Sequence, residues 1–245
     1  MTGEPISSCP DLAHAAAHRA GVLQHLRIIA PVAAIWVASD LGYYLVLPRL
    51  TSPVAYNAAP VTIALYYLFW VGVTVAAFRP VYRQWRPFRG RWCGLLPFFA
   101  SIAALFVFAF TVLPSLPSIK VDADWDPPEL LFATSWYFLP KAVDILFQQL
   151  LVVVLVLSFA AERCRMVTMS LCCAGLFGGT HLLLAFGGVP AGYVIRFTLV
   201  AAAFGLAFPY LILRVPNGFA WSYLTHWSYY AISVALAHTI SPYAA

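Results

Sequence analysis

Charged residues are scarce in this chain. Asp, Glu, Lys and Arg together make up 9% of its residues, whereas a soluble globular domain carries about 25%. This scarcity excludes a soluble domain. Apolar residues instead make up 62% of the 245 residues, and about 20 consecutive apolar residues are enough to cross a bilayer. The chain is therefore predicted to be a polytopic membrane protein.

Several functional motifs are also missing. None of the five cysteines forms a C-x-x-C pair, so neither a redox site nor a metal site is predicted from them. Residues 1–26 lack the apolar core and the cleavage site of a signal peptide, and we expect an uncleaved first span. The net charge of +5 is spread between apolar runs, which excludes nucleic acid as the expected partner. The last span has no lysine that could form a Schiff base with retinal, which excludes a rhodopsin.

The apolar runs predict an all-α transmembrane helical bundle of about seven spans. These spans are residues 28–47, 59–78, 93–112, 142–160, 166–184, 197–213 and 219–240. We divide the chain into an N-terminal segment (1–27), one transmembrane domain (28–240) and a short tail (241–245). The aromatic segment 130–140 is predicted to lie at the outer interface or to form a half-helix leading into span four.

The positive charges predict the orientation. With a cytoplasmic N-terminus, three cations lie outside, Arg49, Lys120 and Arg196. Ten lie inside: Arg19, Arg27, Arg79, Arg83, Arg86, Arg89, Arg91, Arg163, Arg165 and Arg214. Positive residues concentrate on the cytoplasmic side of membrane proteins. We therefore expect a multi-pass protein of a plasma or inner membrane, with the loop from Arg79 to Arg91 inside and available to anionic lipid.

Polar side chains within spans are costly in lipid, and each marks a candidate site. Span one contains Asp40. In span four, Lys141, Asp144 and Gln148 are spaced three and four residues apart, so they share one helical face, with Gln149 adjacent. We expect Gln148, Gln149 and His181 to point into the bundle and to meet there or share a water molecule.

Spans five and seven supply the histidines. Span five has Gly175 and Gly179 four residues apart, a spacing that allows close helix approach, followed by His181. In span seven, His226 belongs to a polar stripe with Tyr223, Tyr230 and Ser233. A rise of about 1.5 Å per residue predicts that Gln149 and His181 lie at similar depths, and that His226 lies too far from His181 to share a ligand with it.

This pattern resembles the CAAX-protease and bacteriocin-processing (CPBP) family of intramembrane proteases. Gln148-Gln149, Phe177-Gly-Gly-Thr-His181 and His226 are similar to that family's Glu-Glu-x-x-x-Arg, Phe-x-x-x-His and His-x-x-x-Asn motifs. The resemblance covers roughly residues 140–236. It implies a CPBP-like bundle with a candidate pocket formed by Gln148, Gln149, His181, His226 and Asp144.

The departures from the family concern its catalytic groups. Glutamines replace both glutamates, Val153 stands at the arginine position and Tyr230 at the asparagine position. An amide cannot take a proton from water near neutral pH. The resemblance therefore implies a pseudo-enzyme, a scaffold or accessory to another membrane protein, rather than a peptidase.

Two alternatives remain open at this point. One is an active intramembrane peptidase in which Asp144 replaces the missing base. The other is a structural subunit of a bioenergetic or light-harvesting complex, in which His181 or His226 ligates a haem or a chlorophyll-type pigment. No metal site is expected, and the cofactor is otherwise unknown.

Overall fold

The computed structural model describes residues 10–50, 54–85, 92–119 and 128–240. Within these ranges the chain is helical and contains no strand, which confirms the predicted all-α bundle. The α-helices are α1 (Pro10–Leu41), α2 (Leu47–Leu50), α3 (Pro60–Ala77), α4 (Arg79–Gln84), α5 (Trp92–Val107), α6 (Phe138–Ala161), α7 (Met166–Thr180), α8 (Ala191–Arg214) and α9 (Gly218–Ile240).

Shorter helical turns extend several of these helices. π-Helical turns follow α1 at Gly42–Val46 and α5 at Phe108–Val112. The 3-10 turn His181–Gly187 continues α7 and ends at Gly188, whose φ of 74° is a left-handed conformation that favours glycine. Gly188 thus marks the end of this span and the start of the connection to α8.

Among the described residues, six helical segments are long and apolar enough to span a membrane. They are Leu23–Leu50, Pro60–Ala77, Leu96–Ser115, Ser135–Ala161, Met166–Gly187 and Ala191–Arg214. The seventh predicted span forms α9, whose 23 residues have sufficient length. Helix α9 is not among the six because polar residues lower its mean hydropathy. Three of them, Ser222, His226 and Ser233, are buried against the bundle rather than exposed to lipid.

Helix α6 occupies the centre of the bundle. In its span, 72% of the most apolar 18-residue stretch is buried, against 17% in each of the first three spans. Helices α1, α3, α7, α8 and α9 all pack against it. The helix that carries Lys141, Asp144 and two glutamines is therefore the one best shielded from lipid, as the cost of polar groups in hydrocarbon requires.

The helix ends alternate between the two sides of the bundle as predicted. Ile28, Trp85, Glu162 and Arg214 line one cavity at the arginine-rich end. At the opposite end, Glu129 of the outer loop accepts hydrogen bonds from the backbone N–H groups of the segment before α3, at Tyr56 and Asn57. Which end faces the cytoplasm remains a prediction.

Part of both charged loops lies outside the described residues. Arg79 and Arg83 are exposed on α4, whereas Arg86, Arg89 and Arg91 belong to the stretch that is not described. The same is true of Asp122, Asp124 and Asp126 in the predicted outer loop, of residues 1–9 and of the tail 241–245.

Span four begins earlier than predicted. The aromatic segment 130–140 forms two 3-10 turns, Glu129–Phe132 and Ser135–Tyr137, and the second leads directly into α6. The span therefore starts at Ser135 rather than at residue 142. Seven further residues place Gln149 about 10 Å deeper than the sequence predicted.

The close approach of helices α7 and α8 does not use the predicted glycines. Around Gly175 and Gly179 there is open space where a Cβ would stand. A Cβ at Gly205 would instead lie 2.5 Å from the Cα of Ala174, and one at Gly178 would lie 3.0 Å from the Cβ of Ala202. Gly178 and Gly205 therefore allow these two backbones to approach, and Gly175 and Gly179 face away from the bundle.

This geometry predicts opposite outcomes for two Gly→Ala substitutions. Gly205→Ala forces α7 and α8 apart, and we expect it to lower the thermal unfolding temperature of the purified protein by several degrees. Gly175→Ala, the matched control, meets no atom and gains helix propensity of about 1 kcal/mol. An equal fall in both variants would contradict the assigned packing.

Candidate functional site

A cavity of about 710 Å³ lies near the end of the bundle opposite the arginine-rich end. Its polar lining comes from distant parts of the chain: Asp40, Glu129, Lys141, Asp144, Gln148 and His181. Aromatic side chains complete the wall: Trp36, Tyr43, Tyr44, Tyr56, Tyr67, Tyr137 and Tyr230. Small-molecule sites in proteins have similar volumes and a similar mixture of aromatic and polar groups.

Asp144 is the centre of the polar network in this cavity. Its Oδ2 accepts from Lys141 Nζ at 2.8 Å and from the Tyr56 hydroxyl at 3.1 Å. Its Oδ1 accepts from Gln148 Nε2 at 2.7 Å. All four side chains are buried. Both carboxylate oxygens are thus occupied by donors, which compensates for the removal of this charge from water.

The Lys141 ammonium lies among three tyrosine rings. Its Nζ is 4.4 Å from the ring centroid of Tyr56, 4.6 Å from that of Tyr230 and 5.9 Å from that of Tyr137. The negative faces of aromatic rings attract a desolvated cation. The lysine is therefore held by the Asp144 carboxylate and by the surrounding rings together.

Tyr56 lies in the connection before α3, and its hydroxyl links two sides of the cavity. It is 3.1 Å from the Tyr67 hydroxyl in addition to its bond with Asp144. Burial, and then the negative charge of Asp144, raise the pKa of Tyr56 well above its usual value. The hydroxyl therefore stays protonated and donates to the carboxylate, while Tyr67 donates to Tyr56.

Gln149 contacts a different partner from the one predicted. Its Nε2 lies 3.3 Å from His226 Nδ1 on α9, and both side chains are buried. The sequence predicted a meeting with His181, but the early start of span four moves Gln149 deeper, to the level of His226. Gln148 bonds Asp144 and makes no hydrogen bond with Gln149 or His181 among the described residues.

Phe177 separates the two histidines. Its ring centroid is 5.1 Å from that of His181 and 5.3 Å from that of His226. A ligand shared by both imidazoles would have to occupy the space that this phenyl ring fills. The sequence predicted such a separation from depth, whereas in the structure an intervening side chain produces it.

His181 faces the cavity, and His226 does not line it. His181 Nδ1 donates to the carbonyl of Phe177 at 2.8 Å, so the neutral ring carries its acceptor at Nε2. That atom has no hydrogen-bond partner among the described residues. Ligation of a pigment or haem stays a prediction, and this geometry makes His181 the better placed of the two histidines.

The positions that resemble the CPBP motifs gather in one part of the bundle. Gln149 contacts His226, and Phe177 lies between the two histidines. Val153, at the arginine position, is fully buried in an apolar cluster, and Tyr230 lines the cavity. Asp144, the alternative base, accepts three hydrogen bonds from other side chains and makes none with either histidine.

Comparisons with family models, curated proteins and solved structures find no match. The resemblance to CPBP proteases therefore remains a prediction from short motifs. Within the part of the chain that the structure describes, no group of three or more His, Cys, Asp or Glu side chains is arranged to hold a metal ion.

Two contributions to the cavity were not predicted as part of the site. Asp40 was recognised as an intramembrane carboxyl group but was not connected with span four. The tyrosines of α3 and of the π-helical turn Gly42–Val46 belong to no motif that indicates a site, so they were not predicted to line it. The signal that sequence reasoning could have used is the short spacing in this segment, in which Tyr43 and Tyr44 follow Asp40 by three and four residues.

We predict that Lys141→Met strongly destabilises the bundle. It leaves a buried Asp144 carboxylate without its cation, and removing one partner of such a pair costs about 3–5 kcal/mol. The free energy of unfolding in mixed micelles measures this loss. The double variant Lys141→Met, Asp144→Asn removes both charges and retains hydrogen-bonding groups, so we expect it to recover most of the stability. A double variant as unstable as the single one would contradict a charge-based role.

Proposed function

We propose that this integral membrane protein has no peptidase activity and serves, with a CPBP-like bundle, as an accessory to another membrane protein. The observation that carries the first half is the state of Asp144. Both of its oxygens accept hydrogen bonds, from Lys141, Tyr56 and Gln148. A general base needs a lone pair within reach of the attacking water, and three of the roughly four lone-pair sites of this carboxylate are already occupied by donors of the fold.

The glutamines support the same conclusion. Gln149 lies beside His226, where the resemblance calls for a carboxylate that activates water. An amide can orient a water molecule but cannot accept its proton. The active-peptidase alternative, with Asp144 as base, would also require the Lys141–Asp144 pair at 2.8 Å to separate inside a buried site.

The outward face of α7 supports the accessory role. Gly175 and Gly179 are exposed, four residues apart, with no side chain of the described chain near them. Leu171 and Leu182 flank them, 61% and 55% exposed. Small residues at this spacing let two transmembrane helices approach closely. The occupant that fits this face is a transmembrane helix of a partner protein in a plasma or inner membrane.

The arginines of α4 suggest a second contact, with lipid. Arg79 and Arg83 are exposed at the end of the bundle that we assign to the cytoplasm. Clustered arginines near an anionic leaflet gain about 1 kcal/mol each. We include Arg86, Arg89 and Arg91 in this proposed lipid contact from their sequence positions.

The peptidase test uses the purified protein with membrane-embedded and prenylated peptides. We expect no cleavage, because loss of a general base typically lowers a rate by 10²- to 10⁴-fold. Asp144→Ala and His181→Ala serve as controls. Cleavage by the wild type that is lost in both variants would refute the proposal and identify Asp144 as the base, while cleavage that survives in both would indicate a contaminant.

The accessory role is tested by the mass of the native complex. We expect the protein to migrate in a larger assembly in its own membrane, and expect Gly175→Ile with Gly179→Ile to release it as a monomer. Gly72→Ile is the matched control, since Gly72 is an exposed glycine of α3 with open space around it. Migration of the wild type as a monomer, or dimerisation of the purified chain alone through this face, would contradict a distinct partner.

A further inference from the structure

Asp40 is a carboxyl group without a partner on the wall of the cavity. It lies on α1 and lines the same space as Asp144, yet no hydrogen bond or ion pair joins it to any described side chain. Lys141, the described cation of the cavity, is already paired with Asp144 at 2.8 Å. The Asp40 carboxyl group is therefore left without a partner by the network around it.

Gln148, which lines the cavity, has a second unused acceptor. Its Nε2 must be the atom that meets Asp144, because a carboxylate only accepts, so its Oε1 is the free end. That oxygen is buried and has no hydrogen-bond partner, in a side chain that is 9% exposed. A buried polar atom without a hydrogen-bond partner is destabilising unless a ligand or water satisfies it.

Three polar groups of the cavity wall are acceptors without a donor. The Asp40 carboxyl, Gln148 Oε1 and His181 Nε2 each accept hydrogen bonds, and none of them has a donor among the described residues. Glu129 adds a further negative charge near the opening, where it accepts from backbone N–H groups. A wall with three carboxyl groups, those of Asp40, Glu129 and Asp144, and one described cation, Lys141, favours a cationic donor.

The tyrosine rings that line the cavity favour one type of cation. Tyr56 and Tyr230 already hold one ammonium, that of Lys141, at 4.4 and 4.6 Å. Tyr43 and Tyr44, in the π-helical turn just after Asp40, line the same cavity. π-Turns are frequent at functional sites. Aromatic faces beside a carboxyl group suit an organic ammonium, whose carbon atoms contact the rings while its N–H groups reach the acceptors.

We propose that this cavity is a binding site for a small organic amine in its ammonium form, anchored by Asp40 and entering from the outer end of the bundle. The Lys141–Asp144 pair shapes the floor of the site, and Gln148 and His181 accept the remaining N–H groups. The volume of about 710 Å³ leaves room for an organic substituent beside the ammonium. This site does not depend on whether the protein cleaves peptides.

The test is isothermal titration of the purified full-length protein with three probes of similar size. Benzylammonium carries the cation, benzyl alcohol is its neutral analogue and benzoate is its anionic one. We expect benzylammonium to bind at least about tenfold more tightly than benzyl alcohol, since a hydrogen bond to a charged group is worth about 1.5–3 kcal/mol. We expect no binding of benzoate.

Two variants assign the binding to Asp40. Asp40→Asn keeps the size of the side chain and should weaken benzylammonium binding at least about tenfold. Glu162→Gln makes the same charge change at the opposite end of the bundle and should leave the affinity unaltered. If Asp40→Asn fails to fold, the wild-type preference for the cationic probe over the other two still decides the outcome.

Several outcomes would overturn the proposal. They are absence of benzylammonium binding, equal affinity for benzyl alcohol or benzoate, and unaltered affinity in a folded Asp40→Asn variant. Displacement of benzylammonium by sodium at equal concentration would also overturn it, because the site would then be one for a small inorganic cation.

Discussion

The hydrocarbon core of a membrane offers no hydrogen-bond partner, and this constraint determines the arrangement of the bundle. The polar side chains of α6 must be satisfied within the protein, so the helix that carries them is surrounded by the others. The buried Lys141–Asp144 ion pair shows this requirement most clearly, because each charge is the partner of the other. It connects α6 to Tyr56 before α3, and the Tyr230 ring of α9 covers its ammonium.

The sequence predicted the features that depend on local periodicity. Most spans match to within a few residues, and the common face of Lys141, Asp144 and Gln148 follows from spacings of three and four on one helix. It did not predict features that depend on how two helices are placed relative to each other. The contact of Gln149 with His226 depends on where span four begins, which the 3-10 turn Ser135–Tyr137 sets seven residues earlier than hydropathy indicates.

Helix contacts illustrate the same limit. A pair of glycines four residues apart marks a face where a helix can be approached, but not which helix approaches it. In α7 the pair Gly175 and Gly179 faces outward, while Gly178 and the distant Gly205 allow the contact with α8. Asp40 was similarly visible as an intramembrane carboxyl, yet its place beside Gln148 required the packing of α1 against α6.

The neighbouring glutamines of α6 show how stability and binding are divided between two faces of one helix. Consecutive helical residues point about 100° apart, so Gln148 reaches the cavity while Gln149 reaches His226 away from it. Gln149 Nε2 contacts His226 Nδ1 in a closed part of the bundle. Gln148 donates to Asp144 and keeps its oxygen free at the cavity wall. The two amides of α6 therefore differ in their surroundings, because Gln149 packs against His226 and Gln148 borders the cavity, where the proposed ligand would bind.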